Sequence, residues 1–332
     1  SIHSSMYSTS TQKKDWTFSS VDELSERREA ANSEYRARFA PFVQAQEADG
    51  YLTTDEEQAI IRMVSDRGIA FGEVFRPPLW PSIRWMAYAY FKRFFLVKSA
   101  MEYSPKVVMT ACYYLATKID EFFVPIDEFV ENLKSGTPDQ NKSRILALEP
   151  EILRVLKYHL TIHCPFRPFE GHLMEMKRSL LLLNFNIETL RPAAERFLKD
   201  ALLGDALLLY APSQIALAAI KFSLENNAKS AEVLRDFVQK LLGAEDAANA
   251  NDSRSVSCSE AFVAVEKLLA RLEEIVECVR AGTAAVPSPV EQQGLQNRSI
   301  VWGQLQQVLE TRKIAAVGAQ KEDPVDSDDE QS

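Results

Sequence analysis

Between Ile83 and Phe95 the apolar residues Ile83, Met86, Ala87, Tyr90, Phe91, Phe94 and Phe95 return every three or four positions, the signature of one wide helix face. The same period runs through most of the chain, and the strict alternation of a half-buried strand is almost absent. Leu24, Ala31, Tyr35 and Phe39 form an apolar stripe on a charged segment that Ser20 and Glu23 open with the spacing of a capping box. Thr54 and Glu57 have that spacing too, and predict a helix running to Phe75, where "RPPLWP" stops it because proline lacks the amide a helix needs. Ser104 as N-cap and Pro105 at the first helical position begin the next helix. Val107, Val108, Ala111, Cys112 and Leu115 point it into a core, yet it ends in Lys118, Asp120 and Glu121, with Phe122 and Phe123 behind. A helix so apolar that closes in charge either dips into water or holds its end out to a partner.

The second half repeats the first. Laying "FKRFFLVKSAMEYSPKVVMTACYYLA" on "FLKDALLGDALLLYAPSQIALAAIKFS" matches Tyr103 with Tyr210, Pro105 with Pro212 and Ala111 with Ala218. Each copy reads as helix, short loop, Tyr-x-Pro, then a small-residue apolar helix. A period of about a hundred residues indicates duplicated helical domains, since solenoid repeats run about 20–50 residues. The expected fold class is all-α. The expected divisions are a flexible arm over 1–17, an N-terminal helix within 18–45, repeats over 52–163 and 165–281 that meet near "HCPFRP", a C-terminal helix over 290–317, and an acidic, disordered tail over 318–332. The two terminal helices carry apolar stripes with no cover of their own, so they are expected to pack near each other on the first repeat.

Composition narrows the function. Apolar residues at 46% and charged residues at 26% are those of a globular protein. The apolar stretch from Ala206 to Phe222 is interrupted by Pro212, Ser213 and Gln214 and reads as two core helices, so no membrane partner is expected. The net charge is −9, and the final twelve residues, "KEDPVDSDDEQS", supply more than half of it; the rest stays mildly acidic, which argues against nucleic acid as a direct partner. Cys112, Cys164, Cys258 and Cys278 show no C-x-x-C spacing, consistent with a reducing, intracellular setting and no disulfide framework. Neither Gly-rich phosphate-binding pattern occurs. His159 and His163 are spaced to share a helix face, but they read as a helix end before Pro165 and lack a third ligand, so neither a metal nor another cofactor is expected. No catalytic constellation emerges. Thr9, Ser10 and Thr11, ahead of "QKKDW", are candidate phosphate acceptors.

With "WTFSS", "FKRFFL", "MEYSPKVVMTACYYLATKIDEF", "CPFRPFEGHL" and "YAPSQIALAAI", the chain resembles the cyclins, and within them the branch that serves the CDK-activating kinase. The resemblance runs from about Met6 to Phe222 and continues more weakly to the C-terminal helix. It implies two tandem five-helix cyclin box repeats flanked by N- and C-terminal helices. It also implies a nuclear regulatory subunit, without catalysis of its own, that binds a cyclin-dependent kinase. A RING-containing assembly factor and the core of the transcription factor TFIIH are the further implied partners. By resemblance, Lys118 and Glu149 contact the kinase's αC region, and Ile119, Tyr158 and Leu160 add apolar surface beside them. Pro150 directly after Glu149 predicts a helix that is kinked or starts afresh there, in which case Asp120 or Glu121 could share the role of Glu149. The Met-Arg-Ala-Ile-Leu docking patch of cell-cycle cyclins is missing from "TDEEQAIIRMVSDRGIAFGEVF", so Arg-x-Leu docking is not expected. The alternative reading is a cyclin-fold transcription factor of the TFIIB type, which the acidic body disfavours.

Overall fold

The computed structural model describes residues 6–180, 183–243 and 255–320, with side chains described from 260 onward in the last segment and only as far as 318. The helices are α1 (Thr11–Asp15), α2 (Val21–Phe39), α3 (Thr54–Val74), α4 (Pro81–Phe94), α5 (Pro105–Ile119), α6 (Ile126–Glu131), α7 (Pro138–Val155), α8 (Phe166–Ser179), α9 (Arg191–Asp200), α10 (Ala206–Leu209), α11 (Pro212–Asn226), α12 (Ala231–Leu241), α13 (Ser255–Ala284) and α14 (Pro289–Gln320). Two short 3₁₀ turns lie at Ala45–Gly50 and Ile187–Leu190, and no strand occurs among the described residues. Residues 244–254 and those beyond 320, where the acidic tail is expected, fall outside the described residues. The C-terminal helix, expected to stop at 317, continues to Gln320.

Each repeat is built around one helix with almost no solvent face. Helix α5 packs against α3, α4 and α7, and α11 against α8, α9, α12 and α13. Both central helices are 15 residues long with proline in the first turn. Their small residues (Ala111, Cys112 and Ala116 in α5; Ala216, Ala218 and Ala219 in α11) are 0–1% exposed, which lets neighbours approach closely. Both also end alike. In α5 the Phe122 amide reaches the Thr117 carbonyl and Glu121 takes φ +56°; in α11 the Lys229 amide reaches Leu224 and Ala228 takes φ +50°. These are Schellman ends, built here without the usual glycine. Ser104 occupies the N-cap position of α5, but its hydroxyl makes no capping bond.

The expected capping boxes form with shifted partners. At α3 the box joins Thr53 and Glu56, one residue before the expected pair. At α2 the Ser20 hydroxyl accepts from the Glu23 amide at 3.2 Å, while the Glu23 carboxylate accepts from the amide and hydroxyl of Ser19. Glu57 is thereby released for a buried role. Its carboxylate accepts from Asn32 of α2 at 2.8 Å, from the Ser99 hydroxyl and from the Met101 amide at 3.3 Å. Burial pushes this carboxyl above the usual range, and its three donors oppose the rise.

The terminal helices share a second apolar cluster on the first repeat. Tyr35 and Phe39 of α2 meet Trp302, Leu305 and Leu309 of α14 over Tyr51, Ile60, Met63 and Met101. Trp302 Nε1 donates to the Met101 carbonyl at 3.2 Å, and Arg312 and Arg298 pair with Glu47 and Glu56 at 2.7 Å and 2.6 Å. Helix α2 also spans to the second repeat, where Arg28 forks onto Asp205 at 2.7 and 3.0 Å. Asp205 follows Gly204, whose α-carbon lies so near Gly282 that a Cβ added at Gly204 would sit 3.0 Å from the Gly282 Cα, so neither position has room for a side chain. Lys92 of α4 is buried beside this pair and donates to the Leu203 carbonyl at 3.4 Å. Burial pushes its ammonium down to about 8, against the pull of Asp205. Burial would raise Asp205, but the Arg28 guanidinium holds it below the usual range.

Two outcomes follow from these buried polar groups. Glu57→Ala orphans three donors on two segments and should lower unfolding free energy by about 3 kcal/mol in denaturant titration. Lys92 is about 8 in the fold and about 10.4 unfolded, so the unfolded chain binds more protons between those values and the group's contribution to stability rises with pH there. Lys92→Met lacks that rise. The stability of Lys92→Met relative to the wild type should therefore fall by up to about 3 kcal/mol between pH 7.5 and 10.5, read by denaturant unfolding at both pH values.

Candidate functional site

Thr117, the last fully buried residue of α5, satisfies its hydroxyl on the Tyr114 carbonyl at 2.7 Å. One residue on, the helix emerges. Lys118 forms an ion pair with Glu149 of α7, and its ammonium lies 4.8 Å from the centre of the Tyr114 ring. The lysine side chain is 41% exposed and the glutamate 18%. Each therefore holds the other while one flank of the pair stays open to water. The terminal carbonyls of α5 also favour a cation at this end.

Helix α7 runs unbroken from Pro138 to Val155 with Pro150 inside it, so it does not start afresh at the proline, and Glu149 is a helical residue and not a cap. The chain tolerates Pro150 because both it and Leu146, whose carbonyl loses its helical partner, face solvent and water can take the missing bond. Helix α7 too ends in a Schellman motif: the Tyr158 amide reaches the Leu153 carbonyl, and Lys157 takes φ +53°. Tyr158 follows at φ +58° with its side chain 65% exposed. Leu160 is half-buried, and its carbonyl accepts from the Tyr90 hydroxyl at 2.6 Å.

Ile119 is 37% exposed beside Lys118. The two auxiliary acids separate. Asp120 accepts from the Ser82 hydroxyl at 2.5 Å and so ties the end of α5 to the start of α4, which commits it to structure. Glu121 is exposed in the left-handed turn. Two apolar residues outside the expected set join this region. Phe123 is 90% exposed, and Trp80 is half-exposed with its ring 5.1 Å from Phe122. The sequence signal for Trp80 was its place between two prolines, which had served only to mark a helix stop.

His159 and His163 do not end a helix. They lie in the irregular linker between α7 and α8, and both meet the N-terminal segment. Trp16 Nε1 donates to His159 Nδ1 at 3.2 Å; Gln12 accepts from the His163 amide at 2.7 Å and donates to its carbonyl at 3.3 Å. The arm expected to be flexible is therefore, from residue 6 on, a folded element with Gln12, Trp16 and Phe18 buried. Of the candidate phosphate acceptors, Ser10 caps α1 by accepting from the Lys13 amide at 3.2 Å, Thr9 is exposed and donates to the Met6 carbonyl, and Thr11 is half-buried in the first turn. No group of three or more metal-ligating side chains occurs among the described residues, and no described helix is long and apolar enough to cross a membrane.

Two helical repeats, each wrapped about a buried central helix and joined by a linker near residue 163, are the architecture of a cyclin. Residues 78–161 match the cyclin N-terminal domain and residues 164–280 the cyclin C-terminal domain. The chain is 43% identical to cyclin-H of Xenopus laevis over 218 residues, 65% of this chain and 67% of that protein. It is 31% identical to cyclin mcs2 of Schizosaccharomyces pombe over 225 residues, 64% and 67% of the two chains. The chain belongs to the cyclin family. Within that family its sequence falls with the cyclin H proteins. Its fold is similar to a chain in the CAK complex from Chaetomium thermophilum bound to ATP-γ-S, with TM-score 0.70, 21% identity and full coverage of both chains. A chain of the yeast TFIIK (Kin28/Ccl1/Tfb3) complex aligns with TM-score 0.61 and 21% identity over 82% of this chain and all of that one.

A half-exposed ion pair of this kind contributes little to folding. A double-mutant cycle of Lys118→Ala and Glu149→Ala in the isolated protein should give a coupling below about 1 kcal/mol by denaturant unfolding. A coupling well above that would make the pair a structural anchor.

Proposed function

We propose that this chain is the regulatory subunit of a cyclin-dependent kinase of the CDK-activating type, and that the surface around Lys118 and Glu149 docks the kinase. The observation that carries the reading is a mutually satisfied ion pair at a helix end, with Ile119 and Phe123 exposed a few residues away and Tyr158 exposed just past the end of α7. An acid and a base that hold each other in water can exchange partners when a foreign helix end arrives. A helix terminus presents unpaired carbonyls or amides, which an ammonium or a carboxylate can satisfy. The apolar neighbours supply the burial that drives docking, at about 25 cal/mol per Å², and the charged pair sets register.

Held in this way, a kinase αC helix is turned inward so that its glutamate can meet the lysine that positions ATP phosphates. The chain then acts by shifting a conformational equilibrium in its partner and takes no part in the chemistry itself. The similarity to cyclin-H of Xenopus laevis supports this reading, and with it a nuclear role in CDK activation and in RNA polymerase II phosphorylation within TFIIH. A RING-containing assembly factor and the TFIIH core complete the proposed set of partners.

The test is co-purification with the cognate kinase followed by phosphotransfer assays. Lys118→Ala should reduce kinase activation at least about tenfold, equivalent to losing a charged hydrogen bond at an interface, with little change in melting temperature. Undiminished activation, or a loss matched by destabilisation of the free chain, would reject the docking role.

A further inference from the structure

The linker that carries Tyr158 and Leu160 begins in a strained conformation and meets the N-terminal segment at His159 and His163. Lys157 and Tyr158 are consecutive non-glycine residues at φ +53° and +58°, a left-handed pairing that L-residues disfavour. Such strain persists only where the surroundings over-determine it. Here they do so from two sides. From the first repeat, Tyr90 donates to the Leu160 carbonyl at 2.6 Å and Arg93 to the His159 carbonyl at 3.3 Å. From the arm, Trp16 holds the His159 ring and the Gln12 amide clasps the His163 backbone through both its donor and its acceptor.

The arm also closes the site electrostatically. Arg93 is 2% exposed, has no carboxylate within ion-pair distance among the described residues, and leaves its Nε without a hydrogen-bond partner. The face of Trp16 lies 5.2 Å from its guanidinium and compensates part of the buried charge. Because His159 Nδ1 accepts from Trp16, the neutral ring carries its proton on Nε2; the nearby Asp15 carboxylate is 3.7 Å from Nδ1. One tryptophan thus touches both the cation beneath the linker and the residue between Tyr158 and Leu160.

We propose that Gln12 and Trp16 are positioning residues for kinase docking: the arm latches the linker so that Tyr158 stands outward and Leu160 inward before the partner arrives. The proposal rests on the docking role assigned above. Preorganisation of this kind strengthens binding by removing an ordering penalty, without a new contact to the partner.

The experiment uses the full chain and three readouts: amide hydrogen exchange at 157–160, affinity for the cognate kinase, and melting temperature. Trp16→Phe keeps an aromatic ring near Arg93 and deletes the Nε1 donor together with part of the buried indole; Gln12→Met keeps the bulk and deletes the clasp. Each should speed exchange at 157–160 and weaken kinase affinity by about fivefold, the size of one lost hydrogen bond, a loss that for Gln12→Met comes with little change in melting temperature and for Trp16→Phe exceeds what its fall in melting temperature accounts for. His159→Asn retains an acceptor near the Nδ1 position and should bind as the wild type does, whereas His159→Phe should behave like Trp16→Phe. Unchanged exchange overturns the latch. Faster exchange with unchanged affinity overturns its part in docking, and weakened affinity that merely tracks a fall in melting temperature reduces the residues to structure. If the wild type captures no kinase, the docking role fails, and the exchange data still decide the latch.

Discussion

Beyond its first turn, helix α5 can place a charge only in its last turn. From Val108 to Thr117 nearly every side chain is enclosed by α3, α4 and α7, and an unpaired charge at any of those positions would have to be desolvated. The first charge after that run is Lys118, where the helix clears its neighbours. The Schellman turn at Glu121 then reverses the chain and carries Phe122 and Phe123 back across the helix end. The proposed docking surface is therefore a by-product of packing: the core fixes where the C-terminal end of α5 emerges, and with it which residues of that end a partner can reach.

The second repeat shows that the architecture alone does not make the site. Helix α11 is as buried as α5 and ends in the same motif, with Ala228 lying 107 positions after Glu121. At that spacing Glu225 stands where the first repeat has Lys118, and it is paired with Lys221 of its own helix. The charge at the emerging end is thus reversed in sign, an acid held by Lys221 and by Arg280 of α13. Duplication copied the platform, and the chemistry at its edge differs between the copies.

Buried polar groups hold the remaining segments to that platform. Glu57 gathers donors from α2 and from the segment before α5, and Asp205 with Arg28 fastens α2 to the second repeat beside Lys92. Apolar burial of α2 and α14 would be satisfied at several rotations. A buried carboxylate with three named donors accepts far fewer, so these groups specify register more than they add stability. The arm follows the same logic, since the tryptophan face over Arg93 ties it to α4 and Gln12 ties it to His163 of the linker, 151 positions away in the chain.

By itself the sequence determined the helical class, the duplication with its matching Tyr-x-Pro starts, the stripes of the terminal helices and the exposure of Lys118, because each rests on local periodicity or on residue chemistry within a few positions. Tertiary structure decided what depends on distant partners. Thr53 and not Thr54 caps α3 because Glu57 is wanted inside, by Asn32 and Ser99. Helix α7 runs through Pro150 because the bond it forfeits faces water, which burial and not sequence spacing determines. His159 and His163 looked like a helix end and anchor the arm instead, because their partners Trp16 and Gln12 lie about 150 residues earlier, beyond the reach of any local pattern.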